Sequence, residues 1–141
     1  NNLLLFYTYK SRVAHKIEKK KFNNLKNKIK ILNKMKLIAY KSIKFIQKNE
    51  LDKIGNLLDQ FWENKKSLSS NVSNKKINKY YLEAKKLGAK GGKLIGAGGG
   101  GFLLIYAEKK YHKNIIKKLN KLTPVKFNFS DKGSEIIENE I

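Results

Sequence analysis

Glycine is the residue type on which the chemistry of this sequence turns. Seven of its ten glycines, Gly91, Gly92, Gly96, Gly98, Gly99, Gly100 and Gly101, lie within eleven positions. Glycine costs backbone entropy on folding, so such a run is kept where bare, closely approachable amides are needed. Successive backbone N–H groups can line an anion-binding concavity without a charged side chain. The first expectation is therefore a phosphate-cradling loop at Gly96, Ala97, Gly98, Gly99, Gly100 and Gly101.

Two familiar phosphate loops can be tested against it. Gly96, Gly98 and Gly101 satisfy G-x-G-x-x-G, but the dinucleotide fingerprint needs a helix directly after the loop. Here the glycines lead instead into the apolar run 102–107, rich in aromatic and branched residues, which predicts a buried strand. The P-loop pattern fails as well, because Lys93 is followed by Leu94 and no Gly-Lys-Ser/Thr closes the run. A plain hairpin needs one or two glycines, not four in succession. A functional loop between two strands is the preferred reading.

The other candidates are fewer. Lys93 stands where it could neutralise phosphate charge, and equally where it is one more lysine among many. Arg12 is the only arginine, and an arginine in a lysine-rich chain suggests planar, bidentate recognition; function and chance are evenly balanced there. His15 and His112 lie far apart, without a carboxylate cluster, and read as surface residues rather than metal ligands. Asp52 and Asp59 read as solvated, and nothing supports a Ser–His–Asp arrangement. The hydroxyl-rich stretch 67–73 reads as an ordinary connection.

With 141 residues and 40% hydrophobic content the chain is large enough for one core. It has no cysteine, which excludes disulfides, thiolate metal sites and cysteine nucleophiles. No apolar run approaches a membrane span, and residues 1–6 lack the basic region of a signal peptide. The start has no initiator methionine and opens almost at once on a strand-like run, as expected of a cut in a longer chain. A net charge of +21 would ordinarily suggest a nucleic-acid partner. Here the cations are nearly all lysine, spread over every polar face, and Asn and Ile are also over-used. AT-biased coding accounts for that pattern, so the charge is read as solvated helix faces.

The elements that must hold the loop are read from periodicity. Residues 3–8 predict a strand, and Ser11 a cap for a helix from Arg12, with Ala14, Ile17, Phe22, Leu25, Ile29 and Leu32 at helical spacing. A break is expected near Asn33, then a second helix carrying Met35, Ile38, Ser42, Ile43 and Ile46. Asn49 with Asp52 predicts a capped third helix buried through Leu51, Ile54, Leu58 and Phe61. Ser73 predicts the cap of a helix with Ile77, Tyr81, Ala84 and Leu87, closed by Gly88. A short strand, the glycine loop and strand 102–107 come next. A helix with Tyr111, Ile115, Leu119 and Leu122 then ends before Pro124. Val125, Phe127 and Phe129 alternate as in a half-buried strand, and 134–138 suggests one more. This order predicts an α+β fold, an antiparallel sheet of about four strands covered by helices on one face.

The residues Lys93, Leu94, Ile95 and the glycine run up to Phe102 resemble the C-terminal glycine motif of the GHMP kinases. Residues 3–8 with Ser11 and Arg12, the stretch 61–70 beginning Phe61 and Trp62, Ser73 with Asn74, and the ending Phe127 to Phe129 with Gly133 and Ser134 resemble the heptose 7-phosphate kinase branch. The resemblance covers essentially the whole chain. It implies a ferredoxin-like C-terminal domain at 49–141, with 1–48 a strand and helical extension linking to an N-terminal kinase domain. It further implies ATP and Mg²⁺ as cofactors, a sugar or sugar phosphate as acceptor, and a cytoplasmic enzyme with no membrane partner. Gly96 to Gly101 then form one wall of the active-site cleft, with Lys93 and Arg12 as phosphate or substrate contacts. Two departures stand out. The family has glycine in the turn after the first strand, where this chain has Tyr9. The family's main phosphate loop, Gly-Leu-Gly-Ser-Ser, and its catalytic acid do not occur, so the fragment alone is expected to be inactive. The alternatives are a GHMP kinase with another acceptor, or a stand-alone basic module that binds RNA or another polyanion.

Overall fold

A computed structural model describes residues 2–9, 25–96, 98–130, 132, 133 and 135. In chain order the elements are β1 (Leu3–Tyr7), α1 (Leu25–Gln47), a 3₁₀ turn (Leu51–Lys53), α2 (Ile54–Leu68), α3 (Lys75–Lys86), β2 (Gly91–Leu94), β3 (Phe102–Tyr106), α4 (Lys109–Lys118) and β4 (Thr123–Val125). The four strands form one antiparallel sheet in the order β2-β3-β1-β4. The first strand therefore sits inside the sheet, between β3 and β4, and the expected α+β layer is present.

Strand alternation decides where the core lies. The register sets Phe6 opposite Leu103, with Leu94 on Leu103's other side and Gly92 beside Ile105. Phe6, Leu94, Leu103 and Ile105 have no exposed surface. Ile77, Tyr81 and Ala84 of α3, Ile115 of α4, and Leu119 and Leu122 beyond it close over this face. Trp62 of α2 is fully buried in the same cluster. The other face is not bare. Tyr106 is buried there and donates its hydroxyl hydrogen to the Leu51 carbonyl at 2.6 Å.

Several expectations are corrected. No break occurs at Asn33: α1 runs unbroken across it. Leu32, Met35, Ile38, Ser42 and Phe45 make a continuous stripe against α2, and one exposed asparagine costs only a few tenths of a kcal/mol. Asn49 does not start a helix but ends α1, at φ 56°. Its N–H donates to Ile46 O at 3.0 Å and that of Glu50 to Phe45 O at 2.8 Å, a Schellman closure. The 3₁₀ turn then leads into α2 without a side-chain cap. Gly88 closes α3 in the same way, as expected, with Ala89 N–H on Ala84 O at 3.0 Å. The cap of α3 is Asn74, not Ser73, through Asn74 Oδ1 and Ile77 N–H at 3.1 Å.

The expected buried face of α2 is also rotated. Leu51 is exposed, and Ile54, Leu58 and Phe61 are half-buried, while Leu57 and Trp62 are buried. A single-stripe template misreads a helix that packs on α1 on one side and on the sheet edge on the other. Asp59 is not merely solvated. It takes the Tyr81 hydroxyl and, at 2.9 Å, Lys85 Nζ, and so ties α2 to α3. Burial, with that carboxylate beside it, pushes the Tyr81 hydroxyl far above the ordinary tyrosine range. β4 ends at Val125, and Phe127 and Phe129 pack edge-to-face beyond it. Pro124 is tolerated because β4 is an edge strand. The expected helix start at Ser11 and Arg12, His15, and the expected strand 134–138 except residue 135, which is not in a strand, lie outside the described residues.

α2 and β2 approach each other too closely for a side chain at the contact. A Cβ on Gly91 would lie 2.0 Å from Gly55 O, and one on Gly55 would lie 2.6 Å from Lys90 Cβ and 2.7 Å from the Tyr106 ring. Helix propensity alone predicts that Gly55→Ala stabilises the chain by about 1 kcal/mol. The contact predicts the opposite sign. Gly55→Ala and Gly91→Ala should each destabilise by about 1–3 kcal/mol in urea unfolding, as overpacked sites do.

Candidate functional site

The glycine run connects β2 to β3, between strands as expected. Ile95 N–H donates to Phe102 O at 2.9 Å and closes the hairpin, and the connection beyond it spans residues 96–101. Gly96, Gly98, Gly99 and Gly101 have φ of 80°, 108°, 77° and 93°, which side-chain-bearing residues rarely adopt. Gly98, Gly99 and Gly100 are buried, whereas Ile95 and Gly96 are exposed. A Cβ on Gly96 would meet nothing within 4 Å, so this part of the loop borders open space. On Gly98 it would lie 2.7 Å from Val72 O. Ala97 lies outside the described residues.

Three elements hold the loop. At its far end Gly101 O accepts from Thr8 N–H at 2.9 Å and from Thr8 Oγ1 at 2.8 Å, just past β1. In the middle, Gly99 N–H donates to Val72 O at 2.8 Å and Asn74 Nδ2 donates to Gly99 O at 3.3 Å. At the near end Lys65 Nζ, from the last turns of α2, donates to Gly96 O. Thr8 and Lys65 are the two buried polar or charged side chains among the described residues, and both end on this loop. Sequence reasoning missed them. Thr8 looked like the end of a strand, and Lys65 looked like any other lysine. The hydroxyl-rich connection 67–73 is more than a link, because Val72 at its end seats Gly99.

The turn after β1 shows what replaces glycine there. Tyr9 takes a φ of 54°, a conformation glycine adopts freely and tyrosine does not. Its ring packs on Tyr7 at 5.2 Å between centroids and its hydroxyl bonds Thr123 Oγ1, contacts that offset the strain. Lys93 does not reach the loop in this arrangement. Its Nζ lies 4.6 Å from the centroid of the Phe61 ring on α2. Burial pushes its ammonium below the ordinary value of 10.5. Arg12 lies outside the described residues. His112 Nε2 bonds Ala107 O at 2.9 Å, so the proton sits on Nε2. Among the described residues no group of three His, Cys, Asp or Glu could hold a metal ion. No described helix is long and apolar enough to cross a membrane.

The connection is glycine-built and braced by a lysine and a threonine; successive backbone N–H groups can in general line an anion-binding concavity, although here Gly99 N–H is already bonded to Val72 O. Fold and loop together define an antiparallel α+β domain built around a glycine-rich strand connection. Residues 42–124, which include the whole loop, match the family GHMP kinases C terminal, and the chain belongs to that family. It is 30% identical over 120 residues to the D-glycero-alpha-D-manno-heptose 7-phosphate kinase of Campylobacter jejuni, an alignment that covers 84% of this chain and 35% of that protein. A solved C. jejuni structure described as a sugar kinase superposes with a TM-score of 0.61 at 28% identity, over 94% of this chain and 37% of that one. Streptococcus pneumoniae phosphomevalonate kinase, solved with phosphomevalonate and AMPPNP, gives 0.69 at 13% identity, over 86% and 37%, a likeness of fold. The chain thus spans little more than a third of the length of these proteins.

The loop geometry carries two expected outcomes. Gly96→Ala should cost about 1–2 kcal/mol from left-handed strain alone. Gly98→Ala should cost more, because its methyl also meets the Val72 backbone; urea unfolding of the two variants measures the difference. For Lys93, a folded pKa below the unfolded value means that the unfolded chain binds more protons, so stability rises with pH toward 10.5. The wild type should gain stability relative to Lys93→Met as pH rises through that window, as read by denaturant midpoints.

Proposed function

We propose that this chain is the C-terminal part of an ATP-dependent sugar kinase. In this reading the acceptor is the anomeric hydroxyl of D-glycero-D-manno-heptose 7-phosphate or a related sugar. The observation that carries it is the glycine connection 96–101 inside the matched GHMP region. The similarity to the heptose 7-phosphate kinase favours that acceptor. The transferred γ-phosphoryl group leaves ADP and forms a bond to the sugar oxygen, whose proton passes to a base on the rest of the enzyme. Such transfer depends on positioning and on stabilising charge at phosphoryl oxygens. Backbone N–H groups of the loop other than that of Gly99, which is bonded to Val72 O, are the donors this reading uses for that stabilisation. The described residues offer no metal-binding cluster. In this reading Mg²⁺ accompanies ATP as its cofactor, and residues 1–48 link 49–141 to an N-terminal kinase domain. Lys93 and Arg12 are assigned as phosphate- or substrate-side cations. The enzyme is cytoplasmic in this reading, and the 141-residue piece alone does not turn over.

The test is an ATP-consumption assay of the full-length protein against heptose 7-phosphates, hexoses, fucose and mevalonate. Turnover with a heptose 7-phosphate, and none by the isolated chain, is expected. Turnover with mevalonate or fucose alone would keep the family and replace the acceptor. Inactivity with every alcohol, together with salt-sensitive RNA binding, would favour the polyanion-binding reading.

A further inference from the structure

We propose that Lys65 is the positioning residue of the glycine connection, setting the shape of the loop through the Gly96 carbonyl. The inference rests on the reading of the loop as an active-site wall and names the residue that holds that wall in place.

A buried lysine needs a reason, because its ammonium loses water and its long chain loses rotamers. The adjacent residue shows the cheaper alternative: Lys66 stays partly exposed, paired with Glu63 at 2.8 Å. Lys65 instead is only 8% exposed and donates to Gly96 O. Its placement is a consequence of α2 lying along β2. Gly55 meets Gly91, and Lys65 lies ten residues further along the helix, about 15 Å at the helical rise. Gly96 lies five residues beyond Gly91, about 16 Å at the strand rise. The two advances match, so the helix delivers its lysine to the mouth of the loop.

A run of glycines has no side chains with which to hold itself. Its anchors must come from outside. Lys65 takes the incoming arm at Gly96, and Val72 with Asn74 takes the middle at Gly99. All three residues belong to one corner, the end of α2 and its connection to α3. Gly98 lies between the two anchor points with no room for a Cβ against Val72. The loop is thus pressed on one corner at two places before any ligand arrives, which removes entropy that binding would otherwise have to remove. Lys65 acts through the loop, not on the reacting atoms.

The test uses full-length protein, selectively labelled with ¹⁵N-glycine. Lys65→Met removes the donor and keeps the length and the burial. Amide hydrogen exchange at Gly99 should speed up at least tenfold, while Gly88, the glycine that closes α3, should not change. The kcat of phosphoryl transfer should fall at least tenfold, with the KM for the acceptor shifting less than threefold. Lys65→Arg, which keeps a donor, should restore kcat to within threefold, and Lys66→Met should match the wild type. Should Lys65→Met fail to fold, Lys65→Leu, which also lacks a donor, gives the same comparison. Unchanged exchange at Gly99, or equal acceleration at Gly99 and Gly88, overturns the proposal. A wild-type protein inactive on every alcohol would overturn the kinase reading, while the exchange result would still decide the role of Lys65.

Discussion

The near-contact of α2 with β2 is the constraint on which the rest of this structure depends. Gly55 and Gly91 bring a helix and an edge strand so close that neither position has room for a methyl group. Once the two are seated, the next ten residues of α2 keep pace with the five that lead from Gly91 to Gly96. Asp59 then faces α3 and receives Tyr81 and Lys85, and Lys65 arrives at Gly96. One steric condition at the start of the helix thus sets an ion pair in its middle and a loop anchor at its end. It also covers the exposed edge of β2, whose unpaired backbone would otherwise invite another strand.

The loop inherits its order from its surroundings. Glycine gives the chain access to left-handed backbone angles but supplies nothing to fix them. Thr8 fixes the far end through two hydrogen bonds to one carbonyl, and the α2–α3 corner fixes the rest. The division of labour is economical in side chains: the loop presents backbone, and three other elements hold it.

Part of this was legible in advance, and the physical reason differs from case to case. The strands 3–7 and 102–106 are short apolar runs with β-branched or aromatic residues, and local pattern was enough for them. The closure of α3 at Gly88 was readable because a left-handed C′ residue is most often glycine. Asn49 was misread because asparagine serves both helix starts and left-handed helix ends, and only the partners of its N–H separate the two. The face of α2 was misread because two neighbours bury it from two sides. Lys65 was invisible for a simpler reason: among so many lysines, nothing local distinguishes the one that turns inward.

By itself the sequence determined the strand–glycine–strand order, the antiparallel α+β class and the resemblance to the GHMP kinases, since periodicity and the glycine run are local properties. Tertiary structure alone decided which groups brace the glycines, because Thr8, Lys65, Val72 and Asn74 meet the loop only when β1, α2 and the α2–α3 connection converge on it. It also set the Lys93 ammonium over the Phe61 ring, which stands on a helix more than thirty residues earlier in the chain. The glycines mark where the loop is; long-range packing decides what shape it has.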